Sequence, residues 1–346
     1  MFGTDSRYMR RAIQLARGGE GHTAPNPMVG AVITDASGKI IGEGFHRRLG
    51  GPHAEVNAVR SVADPALLRD ATIYVTLEPC SHYGKTPPCA KLLIDCGIPR
   101  VVVGAGDPNP KVAGRGIAML REAGAEVVTG VLEDECRRLN PAFMTAHSLH
   151  RPFITLKWAQ TADGFIDARR NPLVGARGAA LKISTPLGSV LVHRLRSLHE
   201  AIMAGSGTVL SDRPRLDCRL WPAALGAPRP VVADRRGRVS LSAFPPDREA
   251  IYLRDTAGLK EAMARLYSEE GLTSVLVEGG AELLNAFIEE GLFDLVRVER
   301  SPLILGAHGG TRAPKAPSFP PYSTFRAGLN SISLYSQNPL VGVNYL

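Results

Sequence analysis

Short runs of β-forming residues alternate with helical segments along most of this 346-residue chain. Of all the features of the sequence, this pattern restricts the possible fold classes most. Such alternation predicts a sheet covered by helices, which is the α/β class. The pattern is interrupted over residues 146–152 and resumes with a β-type run at 153–157. We therefore predict two α/β domains, residues 1–147 and residues 148–346.

The first half begins with a helical pattern over residues 5–17, for which Asp5 is the expected N-terminal cap. Two β-type runs follow at 28–34 and 40–45, and the Asp, Ser and Gly residues between them predict an antiparallel hairpin. Further along, the pattern predicts helices from His53, Pro88 and Gly114 and strands near 71–77, 100–104 and 126–128.

The second half alternates in the same way but shows no internal repeat of the first. The pattern predicts helices after Thr185 and near 258–269 and 281–290, and strands near 201–204, 230–233 and 274–277.

Composition narrows the class of protein. The five cysteines are an odd number in a large chain, which favours metal binding over disulfides in a reducing compartment.

No apolar run approaches the roughly 20 residues that span a bilayer, and the first residues lack the apolar core of a signal peptide, so we expect a cytoplasmic protein. The net charge of +8 has no basic run behind it, and fits either a phosphorylated small molecule or a solvated surface.

One histidine and two cysteines in the first half have the types and spacing of zinc ligands. His53 begins a predicted helix, while Cys80 and Cys89 follow a predicted strand. Three protein ligands leave the fourth position of a tetrahedral zinc open, which is the catalytic arrangement. Cys89 also precedes an apolar helical run, and a helix N-terminus favours a thiolate. The sequence therefore predicts a catalytic zinc on these three residues.

Glu55 is the predicted proton carrier. Zinc lowers the pKa of a bound water, which can then attack a ring carbon that bears an exocyclic amine. The reaction also needs a carboxylate that is not a ligand, because a proton must pass from the water to the departing amine. Glu55 lies two residues after His53 and meets this requirement.

The order His-x-Glu and then Pro-Cys-x-x-Cys is the signature of zinc nucleobase deaminases, but here eight residues separate the two cysteines. With this longer loop the sequence resembles the bifunctional deaminase/reductase family of riboflavin biosynthesis, the RibD family. The resemblance rests on residues 25–30, 44–46, 53–55 and 78–89. It implies a cytidine-deaminase-like three-layer α/β/α fold and deamination of a diaminopyrimidinone ribosylamine 5′-phosphate. It also implies substrate contacts at Asn26, His46, His82 and Lys85.

The second half has weaker motifs of its own. It lacks Gly-x-Gly-x-x-Gly, so a Rossmann dinucleotide site is not predicted. Gly279 and Gly280 join a predicted strand to a predicted helix, which is either an anion-binding helix start or only a tight turn. The segments that resemble the reductase domain of the same family are 155–157, 163–164, 208–219 and 278–280.

This second resemblance implies a dihydrofolate-reductase-like α/β fold that uses NADPH to convert a ribosyl group into a ribityl chain. It implies cofactor contacts at Ala159, Thr208, Asp212 and Gly280. It implies substrate contacts at Arg196, Leu216, Arg219 and Glu278. The chain departs from the common family pattern at Ala180, at Lys182 and Ser184, and at Arg235.

Two other functions stay open at this stage. One is a nucleoside or nucleic-acid deaminase fused to an unrelated α/β module, and the other is a binding module whose zinc is only structural. The long loop between the cysteines argues against the first, and Glu55 argues against the second. We expect a phosphorylated pyrimidine substrate, the cofactors Zn²⁺ and NADPH, a homo-oligomer, and no nucleic-acid or membrane partner.

Overall fold

The computed structural model describes residues 3–83, 87–109, 113–169, 180–254 and 258–341. The chain divides into two compact units, Met1–Leu149 and His150–Leu346. Each unit is built on a sheet that helices cover, so the predicted α/β class is confirmed.

The first unit contains a five-stranded sheet of order β2-β1-β3-β4-β5. Its strands are β1 (Gly30–Thr34), β2 (Ile40–Phe45), β3 (Thr72–Leu77), β4 (Arg100–Ala105) and β5 (Glu126–Thr129). Its helices are α1 (Gly3–Ala16), α2 (Ala54–Arg60), α3 (Cys89–Asp95), α4 (Arg115–Glu122), α5 (Glu133–Arg138) and α6 (Pro141–Leu149). Strand β1 runs antiparallel to β2 and β3, and the remaining pairs are parallel.

Helices lie on both faces of this sheet, which gives the three layers. Small residues allow the closest contacts, because a Cβ at Gly30 would lie 2.0 Å from the carbonyl oxygen of Ala12 in α1. On the other face, a Cβ at Gly44 would lie 2.3 Å from the backbone nitrogen of Ala58 in α2. Helices α2, α3 and α4 share this second face, with Ala54, Leu93 and Leu120 in one apolar cluster. The N-terminus of α2 and the start of α3 are thereby fixed against the sheet.

Three local predictions for this unit are wrong. The helix begins at Gly3, and Asp5 does not cap it, because its carboxylate accepts hydrogen bonds from Arg100 and Tyr74. Strand β1 begins at Gly30 and not at Met28, whose backbone groups are bonded elsewhere. The interruption expected from residue 146 starts only at His150, where a positive φ of 53° follows the end of α6.

The second unit contains an eight-stranded sheet of order β10-β9-β8-β11-β6-β12-β15-β14, and a separate β13-β7 pair. The strands are β6 (Phe153–Gln160), β7 (Phe165–Ala168), β8 (Ala201–Gly205), β9 (Arg229–Ala233), β10 (Ile251–Leu253), β11 (Ser274–Val277), β12 (Leu295–Arg300), β13 (Gly309–Arg312), β14 (Ser323–Ala327) and β15 (Asn330–Tyr335). The helices are α7 (Pro186–Ser197), α8 (Ser206–Asp212), α9 (Leu259–Ser268) and α10 (Ala281–Glu289).

Six neighbouring strands of this sheet, from β10 to β12, are parallel. Helices α9 and α10 pack on one face, where Met263 and Phe287 meet Val275. Helices α7 and α8 pack on the other, where Leu195 and Val209 join a cluster of buried strand residues. The carboxyl ends of the parallel strands meet at one edge, which is where open α/β sheets bind their ligands.

Candidate active sites

The three predicted zinc ligands come together in the first unit. His53 is the N-terminal cap residue of α2, Cys80 follows β3, and Cys89 is the first residue of α3. The ligand atoms lie within 4.8 Å of one another, and His53 Nδ1 is 3.7 Å from Cys80 Sγ and 3.3 Å from Cys89 Sγ. A tetrahedral ion with bonds of about 2.0–2.3 Å separates its ligand atoms by about 3.5 Å. The residues therefore fit one zinc ion.

The electrostatics of the two cysteines also suit a cation. A hydrogen bond from Cys89 lowers the pKa of Cys80 to about 4. The same contact raises the pKa of Cys89, because a single proton is shared between the two sulfurs. The backbone N–H of Cys89 donates to Cys80 Sγ at 3.3 Å, which further favours a thiolate. A soft divalent cation is the group that such a pair binds best.

Glu55 lies in the first turn of α2 and is only 3% exposed. Burial raises its pKa, while the positive charge of His53 acts in the opposite direction. Its carboxyl group also hydrogen-bonds with Cys89. A buried carboxyl group in contact with a ligand is in position to exchange a proton with a molecule bound beside the metal.

Asn26 and His46 are brought to the same place. Asn26 Nδ2 lies 3.3 Å from His46 Nε2, and His46 Nδ1 lies 3.0 Å from the carbonyl oxygen of Pro52. Because Nδ1 must donate to that carbonyl, Nε2 is left as the acceptor for the Asn26 amide. The His46 ring packs against the His53 ring, with 5.6 Å between centroids. His46 therefore borders one of the predicted metal ligands, and Asn26 contacts His46.

The other two predicted contacts are His82 and Lys85. His82 is exposed, and its charge acts on Asp107, which the sequence reasoning missed. Burial raises the pKa of Asp107 to about 6, and the nearby Glu78 and Cys80 add to the effect. Lys85 lies outside the described residues, so its role as a substrate contact stays a prediction.

Two further buried residues support this site, and the motifs did not predict their roles. The Glu78 carboxylate accepts hydrogen bonds from the backbone N–H groups of Asp107, Gly114, Gly116 and Ile117. It thereby ties the strand end before Cys80 to the start of α4.

Asn140 is the second supporting residue. Its amide bonds both the N–H and the carbonyl of Met28, two residues after Asn26. The Asn140-Pro141 pair marks a helix start in the sequence, but nothing local shows which backbone its amide meets.

The second unit has a large cleft of about 1660 Å³ at the carboxyl ends of its parallel strands. Ala159, Thr208, Asp212 and Gly280, the four predicted cofactor contacts, all line it. Thr208 Oγ1 accepts a hydrogen bond from the backbone N–H of Gly280 at 3.0 Å, which joins the starts of α8 and α10. Residues at the departures from the family pattern, Ala180, Lys182, Ser184 and Arg235, also line the cleft.

Three of the four predicted substrate contacts line the same cleft. Glu278 receives two hydrogen bonds from Arg196, at 2.9 and 2.8 Å, and Lys157 Nζ lies 4.0 Å away. Burial alone would raise the pKa of Glu278, but the charges of Arg196 and Lys157 outweigh it and lower the value to about 2. Arg219 also lines the cleft and pairs with Asp217.

Leu216 is the exception among the predicted substrate contacts. Its side chain is 3% exposed and packs in the apolar cluster under α7 and α8, and it is not part of the cleft lining. Its carbonyl oxygen accepts a hydrogen bond from Arg248. The predicted contact between Leu216 and substrate stays a prediction.

These observations define the class of protein as a zinc-dependent deaminase domain followed by a second domain with its own cleft. Residues 3–105 match the cytidine and deoxycytidylate deaminase zinc-binding region, and residues 152–333 match the RibD C-terminal domain. None of the helices in the described ranges is long and apolar enough to cross a bilayer.

Similarity to known proteins extends over most of the chain. The riboflavin biosynthesis protein RibD of Aquifex aeolicus is 38% identical over 325 residues, which cover 87% of this chain and 88% of that protein. The Escherichia coli protein of the same name is 35% identical over 88% of this chain and 89% of its own length. The structure of RibD from Acinetobacter baumannii superposes with a TM-score of 0.84 at 33% identity, covering 96% of this chain and 98% of the other.

The chain belongs to the RibD family. It is a bifunctional enzyme of riboflavin biosynthesis, with a deaminase domain and a reductase domain that use Zn²⁺ and NADPH. The cytidine-deaminase-like and dihydrofolate-reductase-like folds that the resemblance implied are confirmed.

Proposed function

We propose that the chain converts 2,5-diamino-6-(5-phosphoribosylamino)pyrimidin-4-one in two steps. Residues 1–147 remove the 2-amino group by hydrolysis, and residues 148–346 then reduce the ribosyl group to ribityl. The observation that carries the proposal is the buried carboxyl group of Glu55 beside His53, Cys80 and Cys89. A relative from Thermotoga maritima, 36% identical with a TM-score of 0.78 over 96% of this chain and 98% of its own, is named diaminohydroxyphosphoribosylaminopyrimidine deaminase/5-amino-6-(5-phosphoribosylamino)uracil reductase.

In the first step, zinc supplies the Lewis acid that activates water. The Glu55 carboxylate takes a proton from the attacking water and delivers it to the departing amine, so that ammonia leaves. Its burial keeps this proton from exchanging with bulk water. Asn26 gives one N–H to His46, and among the described residues its amide oxygen and second N–H are left to bind the edge of the pyrimidine ring.

In the second step, NADPH supplies a hydride to C1′ of the ribosyl group. The bond from C1′ to the ring oxygen breaks, and that oxygen gains a proton to become a hydroxyl. The protein contributes positioning, because the reacting carbon must lie against the cofactor.

Arg196 and Arg219 have different roles at the substrate. Arg196 donates hydrogen bonds from Nε and Nη2 to the Glu278 carboxylate, and from Nη1 to the carbonyl oxygen of Asp217. Arg219 bonds only through Nη1 in the described part of the chain, and its side chain is 48% exposed. We therefore assign the substrate phosphate to Arg219, and assign to Arg196 the task of holding Glu278 in place.

The experiment uses zinc-loaded protein, the diaminopyrimidinone ribosylamine phosphate and mass spectrometry. Without NADPH we expect only the deaminated product, and with NADPH a product that carries two more hydrogens. Glu55→Gln should lose about 10²–10⁴-fold in deamination, yet still oxidise NADPH with pre-deaminated substrate. Arg219→Ala should deaminate normally and reduce poorly.

Failure of either half is distinguishable. If the wild-type protein leaves the amino group in place, the deaminase proposal is wrong. If it deaminates but never consumes NADPH, only the reductase proposal is wrong.

We further propose that the enzyme works in the cytoplasm as a homo-oligomer, without nucleic acid or membrane. All five cysteines are free thiols, which suits a reducing compartment. Strand β14 forms an edge of the large sheet, and such an edge offers unpaired backbone groups to a second chain. Light scattering tests the assembly, and a mass of one chain across the working concentrations would contradict it.

A further inference from the structure

Arg297 is a buried arginine of β12 whose charge is poorly compensated. It is 3% exposed, and within the described ranges neither of its Nη atoms has a hydrogen-bond partner. Its salt bridge with Glu299 is 3.9 Å long, which is beyond a hydrogen bond. Arginine keeps its proton even when it is buried. A full positive charge therefore lies inside the second unit with little to offset it.

The Glu299 carboxylate is turned toward other donors. Its Oε2 accepts a hydrogen bond from Ser184 Oγ at 2.9 Å, and its Oε1 accepts one from Asn330 Nδ2 at 2.7 Å. Helix α7 also closes in on this carboxylate, because a Cβ at Gly188 would lie 2.4 Å from Oε1. The charge of Arg297 is therefore left to act on other groups nearby.

Lys157 is the cleft residue that lies beside Arg297. The two residues are paired on the neighbouring parallel strands β6 and β12, and such strands lie about 4.8 Å apart. Lys157 lines the cleft with a side chain that is 11% exposed, whereas Arg297 is not part of the cleft lining in the described chain. Arg297 therefore reaches the cleft through its charge and not by contact with a ligand.

The main charges around Lys157 come from three elements. Glu278 follows β11 and lies 4.0 Å from Lys157 Nζ, and Arg196 of α7 donates to both of its oxygens. Arg297 and Glu299 are two residues apart on β12 and share a face of the sheet. Together with Lys157 these groups make three cations and two carboxylates. The cluster therefore holds one positive charge in excess.

Lys157 is the cation of this cluster that can lose its proton, since a buried lysine shifts its pKa readily and arginine does not. Burial lowers the pKa of Lys157, and the charges of Arg297 and Arg196 lower it further, against the opposing charges of Glu278 and Glu299. The pKa of Glu278 is lowered to about 2, so this carboxylate carries no proton near neutral pH. The ammonium group of Lys157 is thus the acid that the cluster presents to the cleft.

The reduction proposed above needs such an acid. When the bond from C1′ to the ring oxygen breaks, that oxygen takes up a proton, and a positioned side chain supplies it more readily than water. We propose that the ammonium group of Lys157 gives this proton to the ring oxygen, and that Arg297 is the positioning residue that makes the proton easier to release. The hydride comes from NADPH, Lys157 is left as the neutral amine, and it takes a proton from water after the product leaves. The proposal rests on the reductase function given above.

The pH profile of reduction tests the role of Arg297. NADPH oxidation with saturating pre-deaminated substrate would be measured from about pH 6 to about pH 10 on wild type, Arg297→Met, Arg297→Gln and Glu299→Gln. Loss of the positive charge raises the pKa of Lys157, so the alkaline limb of kcat should move up by about one pH unit in both Arg297 variants, with KM unchanged. Glu299→Gln removes a negative charge, so its limb should move in the opposite direction.

Lys157→Arg tests the proton donor itself. The variant keeps the positive charge, but a guanidinium group does not release its proton at these pH values. We expect kcat for reduction to fall by about 10²–10⁴-fold. Adding Arg297→Met to this variant should no longer move the alkaline limb.

The titration of Lys157 can also be followed without turnover, from the NMR signals of the ε-carbons in protein with labelled lysine. Lys157→Arg identifies the signal, and we expect it to titrate about one pH unit higher in Arg297→Met than in wild type. Arg326→Met is the matched control, because Arg326 is an exposed arginine on β14 at the edge of the sheet. It should shift neither the titration nor the alkaline limb, and all variants should deaminate at the wild-type rate.

An alkaline limb that stays in place in Arg297→Met and Arg297→Gln would overturn the role of Arg297. A limb that moves the same way in Glu299→Gln would do so too, because repacking and not charge would then be the cause. A normal kcat in Lys157→Arg would overturn the role of Lys157. Wild-type protein that deaminates but never oxidises NADPH would instead end the reductase function, and the NMR titration would still test the effect of Arg297 on Lys157.

Discussion

The side-chain amide of Asn140 binds both backbone polar groups of Met28. Met28 N–H donates to Asn140 Oδ1 at 2.7 Å, and Asn140 Nδ2 donates to the Met28 carbonyl at 2.8 Å. Asn140 is 7% exposed, so both bonds are shielded from water. They end the loop that presents Asn26 to His46, and thus fix one wall of the deaminase site from a point more than a hundred residues away.

Asn140→Ala should therefore weaken deamination through the position of Asn26. A small misplacement of a binding group can cost about 10- to 100-fold in kcat/KM, and we expect most of it as a higher KM. Steady-state kinetics of the deaminase measure the change. Zinc content and NADPH oxidation with pre-deaminated substrate should stay normal. Loss of zinc together with activity would show that Asn140 only supports the fold.

Cys80→Ser or Cys89→Ser should release the metal, because a hydroxyl is a far poorer ligand than a thiolate. X-ray absorption of the wild-type protein should show one nitrogen and two sulfurs around each zinc, and metal analysis of the variants should show almost none. The loop between the two cysteines should become sensitive to protease, since the ion joins its ends. Cys136→Ser is a control, because Cys136 is buried on α5 and does not belong to the ligand cluster. A shell of four sulfurs would contradict the site.

Glu78→Gln should destabilise the first unit. Glu78 is 4% exposed, and its carboxylate accepts four backbone N–H groups. An amide of the same shape turns an NH₂ group toward donors, and a buried group left without a partner costs about 1–3 kcal/mol. Urea titration measures the loss of stability, with the release of zinc as the signal of unfolding. Glu126→Gln, at an exposed position, is the control. An unchanged midpoint would refute the anchoring role.

The cluster of His53, Cys80 and Cys89 could be predicted from the sequence, with Glu55 beside it, because the chemistry requires those residue types at short, ordered spacings. Glu78 lies within the motif that was recognised, but its bonds to residues 107–117 are tertiary and leave no local pattern. The role of Asn140 could not be predicted either. An asparagine that binds a distant backbone looks the same in the sequence as one that caps a helix. Leu216 shows the opposite problem, since a position carried over by resemblance does not say whether its side chain or its backbone faces the cleft.

Some elements of the fold could be predicted from the sequence, and others could not. Elements with clear alternation, such as β3, β4 and α7, begin within a residue or two of their predicted starts. The strands β12, β14 and β15 were not predicted from the pattern, although β12 is central in its sheet. Its sequence includes Arg297 and Glu299, which are 3% and 0% exposed, and buried charges hide a strand from a search for apolar runs. Glu299 is accommodated because Ser184 and Asn330 donate to it.

The Arg196–Glu278 pair should make the stability of the second unit depend on pH. The pKa of Glu278 is lowered from 4.5 to about 2, so the folded state favours the charged carboxylate. A lowered pKa stabilises the fold fully above 4.5, and this contribution is lost as the pH falls toward 2. The shift corresponds to a contribution of the order of 3 kcal/mol at neutral pH. In Arg196→Met, Glu278 keeps Lys157, at 4.0 Å, and the charge of Arg297 as partners but loses the largest of its favourable interactions, so its pKa must rise. We expect this variant to unfold at lower urea than wild type at about pH 7, and the difference to shrink at about pH 4, where protonation begins to relieve the unpaired charge. Arg326→Met is the control and should follow the wild-type curve. A difference between Arg196→Met and wild type that is the same at both pH values would show that Arg196 contributes packing and not charge.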